Sequence, residues 1–231
     1  HLFFVNAFPY NIQVYSPTKS KNAFNLLAKH ILSDHILYTG VNGSFEDANL
    51  FITAMEQENP KISFFQHLAM DIMVSDSACK RYKRDLTFQL GKQEDMQIIW
   101  EYMIGFHQDC FLEPADREKV KTIVEDTIKA KRQYILKNSN NEILTIAMVS
   151  KRRLVNGACI SGVYTPPKYR SLGYSTFLMQ ELTNLLFKKG HKFVTLFVDK
   201  SNPVSNKVYE KVGYKIIQNN YDYRKKEAPN E

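Results

Sequence analysis

Cysteine is scarce in this chain: Cys79, Cys110 and Cys159 are the only three in 231 residues. Their odd number, wide separation and lack of paired spacing exclude a disulfide framework and a cysteine-based zinc site, so reduced thiols in a cytoplasmic setting are expected. No metal is expected either, because His107 has no second His or Cys at ligand spacing. Long apolar runs are absent, and none approaches the roughly 20 residues of a membrane span. No membrane partner follows from this composition. Leu2-Phe3-Phe4-Val5 lacks a basic lead-in and a small-residue cleavage site, so neither a signal peptide nor an anchor is expected. The chain opens on His1 rather than Met, which leaves its natural start open. Acidic residues are few in one region: Ser150 to Lys226 holds fifteen Lys and Arg against four Asp and Glu, while the rest of the chain is acidic by four. The net charge of +7 therefore belongs to that region. Basic residues clustered with stacking aromatics, or a known module, would mark a nucleic-acid binder; none is present, and nucleic acid is not an expected partner. A small anionic ligand explains the placement better, through steering and direct pairing.

What that region does contain is a strand-to-helix junction. Gly162-Val163-Tyr164-Thr165-Pro166-Pro167 runs into Lys168-Tyr169-Arg170-Ser171-Leu172-Gly173-Tyr174-Ser175, and a helix starts at once with Ser175-Thr176-Phe177-Leu178. The first N–H groups of a helix have no intrahelical acceptor, and with the positive end of the helix dipole they can hold a phosphate. Gly173 lets the backbone approach such a ligand, and Arg170 and Lys168 add charge at the rim. Further on stands Asn202-Pro203-Val204-Ser205-Asn206-Lys207-Val208-Tyr209-Glu210-Lys211-Val212-Gly213-Tyr214.

Together these two blocks resemble the GCN5-related N-acetyltransferase (GNAT) family. Its cofactor motif, Gln/Arg-x-x-Gly-x-Gly/Ala, falls on Arg170, Gly173 and Ser175. Its second motif falls on Asn202, Ser205, Tyr209-Glu210-Lys211 and Gly213-Tyr214. The resemblance implies acetyl-coenzyme A (acetyl-CoA) as co-substrate. It places the pantetheine arm along Val163, Tyr164 and Thr165, and the pyrophosphate on Arg170, Ser171, Leu172, Gly173, Tyr174 and Ser175. Asn202 contacts the arm, with Asn206 a second residue for that contact. Ser171 stands where Gly is frequent and Ser175 where Gly or Ala is usual; both are small, which bears on affinity more than on the assignment.

The implied fold is α+β, a mixed central sheet flanked by helices. At 231 residues the chain exceeds one such domain. Residues 79–226 read as the catalytic domain in the order strand, two helices, three strands, helix, strand, helix, strand. Residues 1–78 read as a smaller α/β domain and 227–231 as a tail, with the boundary in the hydrophilic stretch Asp76 to Asp85, where Lys80, Arg81, Lys83 and Arg84 cluster. In the first domain Leu2 to Phe8 is expected as a strand, Pro17 to Leu37 as a helix and Gly40 to Gly43 as a turn. Ser44 and Asp47 open a second helix that Asn59-Pro60 ends, and Ile62 to Val74 is strand-like. This order suggests an eroded half of a second GNAT fold, with Ala7-Phe8-Pro9-Tyr10 standing where Val163 to Pro166 stands. It lacks an Arg-x-x-Gly loop, so it is expected to be catalytically silent.

Acetyl transfer to an amine needs a polarised carbonyl, a neutral amine and help for the departing thiolate. A backbone N–H near Val163 and Tyr164 can serve the oxyanion, and by resemblance Tyr209 is the general acid, against the plainer reading that it packs its helix. No Glu occupies Cys159-Ile160-Ser161-Gly162-Val163, where many relatives place their base. His107, Asp109, Glu113 or a water chain remain for that role. Trp100, Tyr102, Phe106 and Phe111 read as core, with one of them able to wall the cleft. The leading expectation is an N-acetyltransferase acting on a primary amine of a small molecule or peptide. The alternatives are a non-catalytic acyl-CoA binding or sensing protein, and an interaction module in which the N-terminal third pairs two copies into a homodimer.

Overall fold

The computed structural model describes residues 1–80, 84–111, 114–151 and 154–226. They form two compact units: residues 1–72 with 199–201 and the chain from Ile216, and residues 73–198 with 202–215.

The second unit carries the GNAT-like blocks. Its elements are β5 (Thr87–Leu90), α3 (Met96–Cys110), α4 (Arg117–Lys129), β6 (Gln133–Lys137), β7 (Ile143–Val149), β8 (Gly157–Tyr164), α5 (Tyr174–Lys188), β9 (Phe193–Asp199) and α6 (Pro203–Val212). This is the expected order except for its last strand, which runs from Lys215 and belongs almost wholly to the first unit. The strands run β9-β8-β7-β6-β5, antiparallel except for β8 and β9, where Cys159 pairs in parallel with Thr195. Alternation along β6 explains the layering. Tyr134 and Leu136 point into a core with Leu178, Leu182 and Leu186 of α5, whereas Ile135 points into a core with Ile99, Met103 and Val124 of α3 and α4. Helices therefore cover both faces. Trp100 belongs to this scaffold, since its indole N–H donates to the Arg117 carbonyl at 3.1 Å and ties α3 to α4. A buried ion pair, Lys137 to Asp95 at 2.8 Å, sets the start of α3 against the end of β6.

Two buried phenols give this unit a pH dependence. Burial pushes the Tyr209 and Tyr214 hydroxyls well above the usual tyrosine range; Tyr214 also shares a 2.8 Å hydrogen bond with Thr183. A raised folded-state pKa contributes stability that is complete below the unfolded value near 10 and is lost as pH rises from there. Each pH unit above 10 costs up to about 1.4 kcal/mol per phenol held neutral. Urea midpoints measured from pH 9 to 11 are expected to fall steeply, and Tyr214→Phe to flatten that fall. An equal slope in the variant would assign the alkaline loss to other groups.

In the first unit, β1 (Phe3–Val5), β2 (Ile12–Tyr15), α1 (Lys21–Ser33), β3 (Gly40–Gly43), α2 (Phe45–Glu58) and β4 (Phe64–Ser75) follow one another. The expected helix start is present: Ser44 is the N-cap of α2 and its Oγ accepts the Asp47 N–H at 3.1 Å. Two expectations need correction. The segment expected as one strand over Leu2 to Phe8 is β1 alone, and a separate β2 pairs with it antiparallel, Phe3 opposite Tyr15. Gly40 to Gly43 is no turn but a strand, because it lies parallel to β2 on one side and antiparallel to β10 (Lys215–Lys225) on the other. Both flanks satisfy its backbone, which outweighs the low strand propensity of its two glycines.

The order β2, α1, β3, α2, β4 repeats the order β8, α5, β9, α6, β10, and in each case the first two strands are parallel. In that order the end of β2, Val14-Tyr15-Ser16-Pro17, rather than Ala7 to Tyr10, takes the position that Val163 to Pro166 has after β8. In both units the last strand of the repeat takes the same unusual place. Beside β3 lies β10, from the far end of the chain, and beside β9 lies the end of β4, where Thr195 Oγ1 donates to the Met73 carbonyl at 2.9 Å.

Candidate acyl-transfer cleft

A cleft of about 530 Å³ opens in the second unit where β8, the loop after it, α5 and α6 meet. Its first wall is the end of β8. Opposite Ile146 to Met148 of β7, strand β8 runs from Ser161 to Tyr164, so its register slips by one residue at Gly162, which has φ +58°. Such a bulge leaves backbone groups unpaired and splays the strands. Val163, Tyr164 and Thr165 then line the cleft. The Tyr164 ring packs 5.9 Å from that of Tyr102.

The second wall is the loop and the start of α5. Gly173 is the N-cap in a left-handed conformation, φ +77°, and no side chain caps this helix. The first i→i−4 bond runs from Phe177 N–H to Gly173 carbonyl, so Tyr174, Ser175 and Thr176 present N–H groups without intrahelical acceptors. Ser171, Gly173, Tyr174 and Ser175 line the cleft; Leu172 does not, being turned outward and half exposed. Arg170 is placed differently from a freely projecting rim charge. Its guanidinium pairs with Asp109 of α3, donates from Nε to the Thr165 carbonyl at 2.9 Å and lies 5.6 Å from the Tyr164 ring. Lys168 sits 4.6 Å over Tyr169.

The third wall is α6, whose boundaries follow from its sequence: Asn202 is the N-cap with its Oδ1 accepting the Ser205 N–H at 3.0 Å, Pro203 follows, and Gly213 closes the helix at φ +103°. Asn202 and Tyr209 line the cleft, while Asn206 points elsewhere and donates to the Asn202 carbonyl at 2.8 Å. Tyr209 is 92% buried, and among the described residues its hydroxyl makes no hydrogen bond. Its raised pKa, caused by burial and then by the nearby Cys110, keeps it protonated through the neutral range.

The fourth wall, the end of α3, was only partly legible. Phe106, Asp109 and Cys110 line the cleft. Of the residues considered for a base, Asp109 is on the wall but paired with Arg170. His107 is off the wall, against Phe111 at 4.8 Å, and burial and then Lys119 lower its pKa. Glu113 lies outside the described residues. Tyr102 is core: its hydroxyl donates to the Ile143 carbonyl at 2.7 Å and burial lifts its pKa to about 12. Cys110 had no sequence signal beyond its position one helical turn after Phe106. No group of three His, Cys, Asp or Glu that could hold a metal ion comes together among the described residues, and no described helix is long and apolar enough to cross a membrane.

This arrangement is matched elsewhere. The family model for the acetyltransferase (GNAT) family covers residues 100–214, which span all four walls, and by that domain the chain belongs to the GNAT family. Among solved structures, a GCN5-related N-acetyltransferase from Sphaerobacter thermophilus is 14% identical with a TM-score of 0.64, over 97% of this chain and 75% of that one. An acetyltransferase of the GNAT family from Colwellia psychrerythraea is 15% identical with a TM-score of 0.68, over 96% and 80%. A GCN5-related N-acetyltransferase from Kribbella flavida is 10% identical with a TM-score of 0.59, over 98% and 87%. At these identities the likeness is one of fold. The class is that of acyltransferases.

Proposed function

We propose that the protein transfers an acetyl group from acetyl-CoA to a primary amine in this cleft. The observation that carries the reading is the uncapped start of α5 behind Gly173, on the same cleft as the bulged end of β8 and Tyr209. Phosphates would sit on the N–H groups of Gly173 to Thr176, and the pantetheine arm would pair with Val163 to Thr165, beside Asn202. The thioester carbonyl would then lie at the bulge, where an unpaired backbone N–H is a preorganised oxyanion donor. Attack by the neutral amine forms the C–N bond and the C–S bond breaks. Tyr209 meets the departing sulfur. Its raised pKa makes it a weak outright acid towards a thiolate and a lasting hydrogen-bond donor, which suits charge that develops only in the transition state. The amine's proton leaves through water in the open cleft.

A second reading has a specific observation in its favour. The cofactor strand carries no carboxylate, and Asp109, the acid on the wall, is neutralised by Arg170. A protein that binds acyl-CoA without turnover fits that feature. Thiol release from acetyl-CoA, followed with and without a panel of small-molecule and peptide amines, separates the two. Amine-dependent release supports the transferase; tight binding with no release above the blank for any amine supports the sensor.

A further inference from the structure

Within the cofactor reading proposed above, on which this rests, the structure assigns a role to Arg84, a residue outside both sequence motifs. It comes from the basic stretch before β5 that sequence alone marks only as a boundary. Its Nη1 donates to the Leu172 carbonyl at 2.9 Å. A Cβ placed on Gly173 would meet Arg84 Nη2 at 3.0 Å and Nη1 at 3.6 Å, so the guanidinium lies against the tip of the loop. The segment is anchored upstream as well: the Cys79 N–H donates to Asn184 Oδ1 at 2.8 Å, and Asn184 Nδ2 donates to the Cys79 carbonyl at 3.2 Å. Asn184 is three turns into α5 and Leu172 stands just before its start. Cys79 thus contacts the far part of α5, and Arg84 the loop at its start.

The peptide geometry says what this tie does. The only cis bond among the described residues is Phe8–Pro9, so the Leu172–Gly173 peptide is trans and its C=O and N–H point in opposite directions. Arg84 holds the carbonyl and thereby aims the Gly173 N–H away from itself, into the cleft. A cation on the carbonyl also polarises that peptide and makes its N–H a stronger donor to an anion. Gly173 adopts its left-handed conformation without a side chain to lock it, and nothing else among the described residues holds the Leu172 carbonyl. The arginine of the motif, Arg170, is occupied with Asp109 and Thr165. We infer that Arg84 is a positioning residue that sets the phosphate cradle from behind.

The test is calorimetric titration of the full chain with coenzyme A and with dephospho-coenzyme A, which share the pyrophosphate, for the wild type, Arg84→Ala and Arg84→Lys. A hydrogen bond from a charged donor contributes about 1.5–3 kcal/mol, so Arg84→Ala is expected to weaken both ligands by about 10- to 100-fold. The melting temperature should stay within about 3 °C, as expected for an exposed side chain. Arg84→Lys, with one donor and the same charge, should recover part of the affinity. A merely structural residue would lower the melting temperature and leave affinity unchanged, which overturns the inference. Loss for coenzyme A alone would make Arg84 a direct ligand of the 3′-phosphate and overturn it too. If the wild type binds neither ligand, the cofactor reading itself falls; if the wild type binds and Arg84→Ala binds equally, only the role of Arg84 does.

Discussion

Gly173→Asp is expected to abolish coenzyme A binding while leaving the protein folded. Gly173 is the N-cap of α5, and a carboxylate there would set a negative charge beside the free N–H groups of the first turn. Those are the groups that the cofactor's phosphates require. The new side chain would also meet Arg84 Nη2 at 3.0 Å from its Cβ and draw that guanidinium from the Leu172 carbonyl. The left-handed φ of residue 173 adds roughly 1–2 kcal/mol of strain for any side chain. Gly173→Ala, which has the strain without the charge, should therefore lose affinity by about tenfold, and Gly173→Asp by more than about a thousandfold. Titration calorimetry reads both. Equal affinities for wild type and Gly173→Asp would remove the basis for placing phosphates at α5.

The second large effect is expected at Tyr209. The Tyr209 side chain is largely buried and lines the cleft, and its hydroxyl makes no hydrogen bond to another described residue, so Tyr209→Phe removes no such bond. The ring would still pack at 6.2 Å against Tyr214. Coenzyme A affinity and stability should stay near wild type, whereas turnover should fall by roughly 10²- to 10⁴-fold, the usual contribution of a positioned proton donor. Tyr209→Ala would in addition open a cavity and cost about 3–5 kcal/mol of stability. Normal turnover by the Phe variant would reduce Tyr209 to a packing residue.

Local chemistry decided which parts of this molecule could be read in advance. Helix α6 is legible to the residue because its ends are marked by Asn202, Pro203 and Gly213, which act through their own backbone and nearest neighbours. The loop before α5 is legible for the same reason. Strand β3 is not, since Gly-Val-Asn-Gly carries turn chemistry and becomes a strand only through pairing with β2 and β10, the latter some 180 residues away. The break between β1 and β2 was hidden for a related reason: β2 alternates buried and exposed residues, but over only four positions. At the site, the residues of the two motifs were marked by a family resemblance, while Cys110 and Phe106 reach the cleft through the packing of α3, and Arg84 through a contact 88 residues distant in the chain. Spacing cannot encode such contacts. Arg170 shows the converse, for the motif that names it says nothing of Asp109, which claims its guanidinium.

The most direct test of the whole account is a crystal structure of the protein with coenzyme A. The account predicts the pyrophosphate on the N–H groups of Gly173 to Thr176, the arm along Val163 to Thr165, and the sulfur within about 3.5 Å of the Tyr209 hydroxyl, hydrogen-bond range for sulfur. Phosphates bound elsewhere, or a sulfur well beyond the reach of Tyr209, would contradict it.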